Sequence, residues 1–414
     1  MTDTLANVTE DIQPRILPRR YGRWVAFVIA LATLLVAIPF GARQYGSWHE
    51  QRSKDFARRC RAIRQSADWE RLASVSDQWR NWDKRSAEAI LFRAEAAQGL
   101  SDFRMAADLL HEIPAKHPKR LGALIERSSL LFGPANKPLD GVQACHEILE
   151  VEPRAFAAHQ RLIFFYALTL QQEELLRQIY KAIELGCEPI DAYVYLALAD
   201  VLTFHNGFEV TNRWLADDVS QELFLVSRTI HAWKSLSLIQ PLDAESKEKM
   251  DLAEKLLREY LDRFRTNTSL LTFFLNLGVM NGDTEGVEQL LTRFPATATT
   301  DSQYWRFKGW LHAARDEISA AETAYKESLS IYPLSWTVRH ELADVLRRLK
   351  NYQQVSQMQE LALLGKDLRR ELLEMPDARS VSKALLTKIR DYAQRCGDDF
   401  VAGALSRRIR TLPE

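Results

Sequence analysis

One repeat period, carried by small and apolar residues, constrains this chain more than any other feature of its sequence. Leu72, Ala106, Gly141 and Leu175 follow one another at steps of 34, 35 and 34, and Ala253, Val287, Ala321 and Val355 at steps of 34. Proline stands twelve positions after three of these, at Pro118, Pro153 and Pro333. Each repeat position in the second series opens the apolar face of a helix behind a short polar turn. Three such turns are Asn281-Gly282-Asp283, Arg315-Asp316 and Lys350-Asn351. A fixed period in the range of about 20–50 residues marks stacked supersecondary units, because one helical hairpin cannot bury its own apolar face. With 16 glycines and 14 prolines in 414 residues, the chain has too few turn formers for many strands, so the fold class is all-α.

The clearest unit runs from Trp305 to Pro333, with Gly309, Ala321, Tyr325 and Leu329 between them. It resembles the tetratricopeptide-repeat family, whose signature is W-x2-L-G-x2-Y, then A-x3-F, then P within one repeat. Lys308 and His312 depart from the signature, whereas the next unit supplies Leu342-Ala343 where Leu-Gly is expected. The resemblance covers most of residues 67–367 and implies a right-handed helical-hairpin solenoid that binds a protein or peptide. Repeats are expected over 67–189 and 245–377, with capping helices over 378–414. Between Leu175 and Ala253 the register is lost, so 190–244 is expected to be an irregular helical insert. There Tyr193–Leu202, Trp214–Phe224 and Val226–Leu238 read as amphipathic helices, with loops near His205–Gly207 and Gln240–Asp243. Ala106, Gly141 and Ala321 are small enough to let paired helices approach closely, and Gly309 serves a similar contact.

One segment does not fit a repeat. No charged residue occurs from Trp24 to Ala42, and nineteen residues at about 1.5 Å each span roughly 28 Å, near the thickness of a hydrocarbon core. After a short tail over 1–21, residues 22–43 are expected to form a single uncleaved transmembrane anchor. A signal-peptide cut after Ala42 or Gly41 would place Phe40 or Pro39 where a small residue is needed. Arg19, Arg20 and Arg23 beside the span favour a cytoplasmic N-terminus and an extracytoplasmic solenoid. The later basic stretch, 44–66, argues the other way. On it Phe56 and Ile63 share one helical face, which suits either a helix lying on anionic head groups or the first helix of the solenoid.

Lys and Arg together number 55, equal to Asp plus Glu, so no nucleic-acid partner is expected. Cys60, Cys145, Cys187 and Cys396 are far apart and read as small apolar fillers. No phosphate loop, HExxH or GxSxG is present. No catalytic residue, metal, cofactor or small-molecule substrate is expected. The leading expectation is a membrane-anchored interaction scaffold. The alternatives are an oligomerising subunit of a membrane complex, or an enzyme with its site in the insert.

The resemblance also implies a binding face, since in this family the first helix of each pair lines the concave surface. Positions i, i+3, i+7 and i+10 are then Ser269, Thr272, Asn276 and Val279; Gln303, Arg306, Trp310 and Ala313; and Thr337, His340, Asp344 and Arg347. Thr272, Asn276, Gln303, Arg306, Trp310, His340, Asp344 and Arg347 are the candidate groove, centred on Trp310 and Arg306. The groove lacks the Lys-Asn arrangement with which chaperone-binding relatives hold a C-terminal carboxylate.

Overall fold

A computed structural model of the chain describes residues 19–204, 206–237 and 243–412, and every regular element among them is helical. The residues divide into two compact units, one ending at Leu100 and one beginning at Ser101.

The first unit contains α1 (Arg19–Gln65), α2 (Trp69–Trp82) and α3 (Ala87–Gly99). Asp68 and Ser86 start α2 and α3 by accepting hydrogen bonds from the backbone N–H groups of Arg71 and Ala89. The stretch 44–66 is helical to Gln65 as part of α1. Phe56, Ala57, Cys60 and Ile63 are buried against Leu72, Val75 and Trp79, with the Phe56 and Trp79 rings stacked at 5.8 Å. The apolar face of the basic stretch is therefore used in helix packing. Among the described residues no helix is long and apolar enough to cross a membrane. Residues 1–18 of the expected tail, 1–21, and most side chains of the expected span, 22–43, lie outside the described residues.

The second unit begins with α4 (Phe103–His111), α5 (Arg120–Phe132), α6 (Pro138–Val151), α7 (Phe156–Leu168) and α8 (Gln172–Leu185). The stretch expected to be irregular holds α9 (Ala192–Ala197), a short 3-10 turn at Ala199–Val201, α10 (Gly207–Leu215) and α11 (Glu222–Ser237). Then come α12 (Ala244–Arg263), α13 (Thr268–Asn281), α14 (Thr284–Leu291), α15 (Ser302–Ala314), α16 (Ile318–Ile331), α17 (Trp336–Arg348) and α18 (Tyr352–Leu373). The last two are α19 (Lys383–Arg395) and α20 (Asp399–Thr411). Helices adjacent in the chain pack on one another as hairpins, the tetratricopeptide-like arrangement.

The backbone carries the period as clearly as the side chains do. Ala67, Ser101, Asn136 and Leu170 have positive φ at steps of 34, 35 and 34, and Gly282, Asp316 and Lys350 repeat this at steps of 34. Each immediately precedes the cap residue of a second helix, so one left-handed residue reverses the chain in every such unit. The eight repeat positions are all buried, Ala321 and Val287 completely. A Cβ on Gly141 would stand 2.8 Å from the Phe132 ring, and one on Gly309 would stand 2.9 Å from the Tyr325 ring. Those hairpins close to distances that a methyl group would forbid.

Two expectations in the insert are corrected. Trp214–Phe224 is not one helix: α10 ends at Leu215 and α11 begins at Glu222. The turn between them is held from a distance, with Asp217 paired to Lys137 and to Arg104, the latter at 2.7 Å. Tyr193–Leu202 breaks after Ala197 into the 3-10 turn. The loop near Gln240–Asp243 falls mostly outside the described residues.

Candidate functional site

Within the second unit a cavity of about 690 Å³ opens between α11, α13, α15, the start of α17 and the stretch of backbone from Ala199 to Thr203. Its polar floor begins at Asp200. The Asp200 carboxylate accepts hydrogen bonds from Ser335 Oγ (2.5 Å), Gln303 Nε2 (3.0 Å) and Gln172 Nε2 (3.3 Å). Burial pushes its pKa above the usual carboxylate range, opposed by the Ser335 hydrogen bond and the nearby Arg306 charge. Ser335 is placed by its second task, since its hydroxyl also accepts from Val338 N and caps α17.

Gln303 carries the chain of bonds onward. Its Oε1 accepts from Arg306 Nη1 at 3.3 Å, and the same nitrogen reaches Asn276 Oδ1 at 2.9 Å. Arg306 Nε and Nη2 both donate to Glu341 Oε1, at 3.0 and 2.7 Å. Asp200, Gln303, Arg306 and Glu341 thus alternate acceptor and donor across α15, α17 and the short 3-10 turn, and Asn276 joins them from α13. Asp301, buried at the cap of α15, accepts from Gln303 N at 2.8 Å, and burial raises its pKa to about 6.

Of the candidate groove, Thr272, Asn276, Gln303 and Arg306 line this cavity, with Ser269 and Thr337. Arg306 is not an exposed contact as anticipated. It is 7% exposed, because Glu341 of the following hairpin covers it. Trp310 does not line the cavity. It is half-buried between the cores of the α13–α15 and α16–α18 hairpins, where an indole fills the gap between stacked units. His340, Asp344 and Arg347 are exposed and lie outside the cavity, with Asp344 and Arg347 paired to each other. The helical period assigns these residues to one face, but α17 crosses the cavity at its N-terminal end alone.

The sequence did not point to Lys234, Arg369, Trp233 or Trp336, all of which line the cavity. Lys234 Nζ donates to the Leu202 carbonyl at 2.7 Å, and burial lowers its pKa to about 8, helped by the charge of Arg369. Burial also lowers the pKa of Arg369, whose Nε has no hydrogen-bond partner. A usable signal existed for two residues of the site. Asp200 follows the apolar run Tyr193–Ala199, and Lys234 follows Trp233 in a largely apolar helix; isolated charges in such settings need a reason. Among the described residues no group of three or more His, Cys, Asp or Glu side chains is arranged to hold a metal ion.

No family model and no curated protein matches this chain. Several solved structures resemble it distantly. A tetratricopeptide repeat protein from Parabacteroides merdae is 13% identical, with 63% of this chain and 99% of that chain covered and a TM-score of 0.29. The Cut9–Hcn1 hetero-tetramer of the APC/C is 13% identical over 84% of this chain and 78% of that one, with a TM-score of 0.32. Yeast Tom70 is 14% identical over 86% and 90%, with a TM-score of 0.25. A likeness at this level does not tell what the chain binds. The hairpin architecture rests on its own helices and turns.

Proposed function

We propose that the second unit is a non-catalytic docking platform, which holds a segment of a partner protein along the face formed by α13, α15 and α17, and that residues 22–43 tether it to a membrane. The observation that carries the docking reading is the preorganised polar floor. Thr272, Asn276 and Gln303 come from successive first helices and line one cavity, and Arg306, itself anchored by Glu341, holds Asn276 and Gln303 before any partner arrives. Preorganised side chains lose little further freedom on binding, which favours affinity. The tether rests on the charge-free run Trp24–Ala42, and the arginines at 19, 20 and 23 support a cytoplasmic N-terminus with the platform on the other side.

A photo-crosslinking residue placed at Met280, which is 78% exposed at the cavity rim, tests the docking face against one at Thr323 on the exposed side of α16. The expected result in native membranes is a discrete crosslinked partner from position 280 and none from 323. Crosslinks from 323 alone would overturn the groove reading and favour a structural subunit of a membrane complex. For the tether, the chain should resist alkaline carbonate extraction, and a reporter after Glu414 should report an extracytoplasmic position.

A further inference from the structure

We propose that the cavity of the second unit is a binding site for a small amphiphilic anion, an apolar body ending in one carboxylate or phosphate group that Lys234 and Arg369 receive together. The inference goes beyond the docking reading and does not depend on a protein partner. At about 690 Å³ the cavity has the size of a small-molecule site, which typically spans roughly 300–1,000 Å³ with apolar walls and a few placed polar groups. Its apolar wall is built by Ile230, Trp233, Phe273, Leu277 and Met280, with the Trp233 and Phe273 rings edge to face at 5.0 Å.

The hydrogen-bond partners of the lining side chains point to the sign of the ligand. Four carboxylates line the cavity, and each already has donors. Glu173 and Glu174 accept from Arg177 at 2.8 and 2.6 Å, Asp200 accepts from three neutral side chains, and Asp301 caps α15. Of the three cations on the wall, Arg306 is paired with Glu341. The other two, Lys234 and Arg369, make no ion pair among the described residues. Lys234 has a neutral carbonyl for a partner, and Arg369 Nε is buried without an acceptor. Both side chains are partly buried, and a cation withdrawn from water without a counter-charge is unfavourable, the more so beside a second one. The lowered pKa values of both groups follow from the same placement. An incoming anion removes this penalty through charge-assisted hydrogen bonds, which are stronger than neutral ones. The indole N–H groups of Trp233 and Trp336, both on the cavity wall, also lack acceptors, so the unmatched polar groups on this side are donors.

The test uses the full-length chain in lipid nanodiscs, titrated with octanoate, octyl phosphate and octanol. Binding is read from tryptophan emission after subtraction of protein-free discs. Octanoate or octyl phosphate should saturate the signal, and the tighter of the two identifies the preferred head group. Octanol should bind at least tenfold more weakly. Lys234→Gln and Arg369→Gln should each weaken anion binding tenfold or more, leave octanol unchanged and unfold at a midpoint no lower than that of the native chain. Should Lys234→Gln fail to fold, Arg369→Gln carries the test from a different helix. Octanol binding as tightly as the anions, no saturable binding of either anion, or unchanged anion affinity in a folded Arg369→Gln protein would each overturn the proposal.

Discussion

Removing the carboxylate of Glu341 should destabilise the second unit far more than removing any surface carboxylate. The Arg306 and Glu341 side chains are 9% and 15% exposed, so Glu341→Ala leaves a guanidinium in a site that water barely reaches. Breaking a buried pair from one side typically costs about 3–5 kcal/mol. Arg306 keeps Asn276 and Gln303 as acceptors, which places Glu341→Ala near the lower end, at about 3 kcal/mol. Arg306→Met should cost a similar amount, because Glu341, Gln303 and Asn276 all lose a donor. The double variant Arg306→Met/Glu341→Ala removes both charges and should cost far less than the two single changes added together, giving a coupling energy above about 2 kcal/mol. Glu322→Ala is the control, since its 2.7 Å pair with Lys326 is more open to solvent and should be worth under about 0.5 kcal/mol. Urea unfolding followed by tryptophan fluorescence compares the four variants with the native chain. If Glu341→Ala costs no more than Glu322→Ala, or if the coupling is no larger than that of two independent sites, the buried network does not hold these hairpins together.

Three further outcomes are expected. Gly309→Ala should destabilise by about 1–3 kcal/mol in the same assay, because its methyl group would press on the Tyr325 ring at 2.9 Å. Lys350→Gly should be stabilising by about 0.5 kcal/mol and Gly282→Ala destabilising by about 1 kcal/mol, since both sit at positive φ, two repeats apart on the same ladder of turns. Acid should weaken the fold through His231, whose Nε2 bonds the Leu168 carbonyl and whose buried ring has its pKa lowered from 6.5 to about 4. As pH falls from 6.5 toward 4 the unfolded chain takes up this proton and the folded chain does not. Relative to His231→Gln, the native protein should therefore lose about 2.5 kcal/mol between pH 7 and pH 4.5, and a flat difference would refute the assignment.

What the sequence determined by itself was the repeat. Period, turn and small-residue positions all report contacts between a helix and its immediate neighbours, and those contacts recur once in every unit. Ala321, Val287 and Leu72 are buried for that reason, and the left-handed turn falls beside them. Part of the faces of α13 and α15 was legible too, since Thr272, Asn276, Gln303 and Arg306 line one cavity, whereas Trp310 and the α17 residues His340, Asp344 and Arg347 do not. Tertiary structure alone decided what those faces become. Arg306 looks solvent-facing on a helical wheel, and Glu341, from the next first helix, buries it. Asp200 reaches Ser335 from within the repeat lapse, and Lys234 of α11 and Arg369 of α18 line the same cavity. Such contacts depend on which side chains the stacked helices lay over one another, and no local pattern encodes that. Whether a charge is solvated, paired or left waiting for a ligand depends on what the rest of the chain places over it.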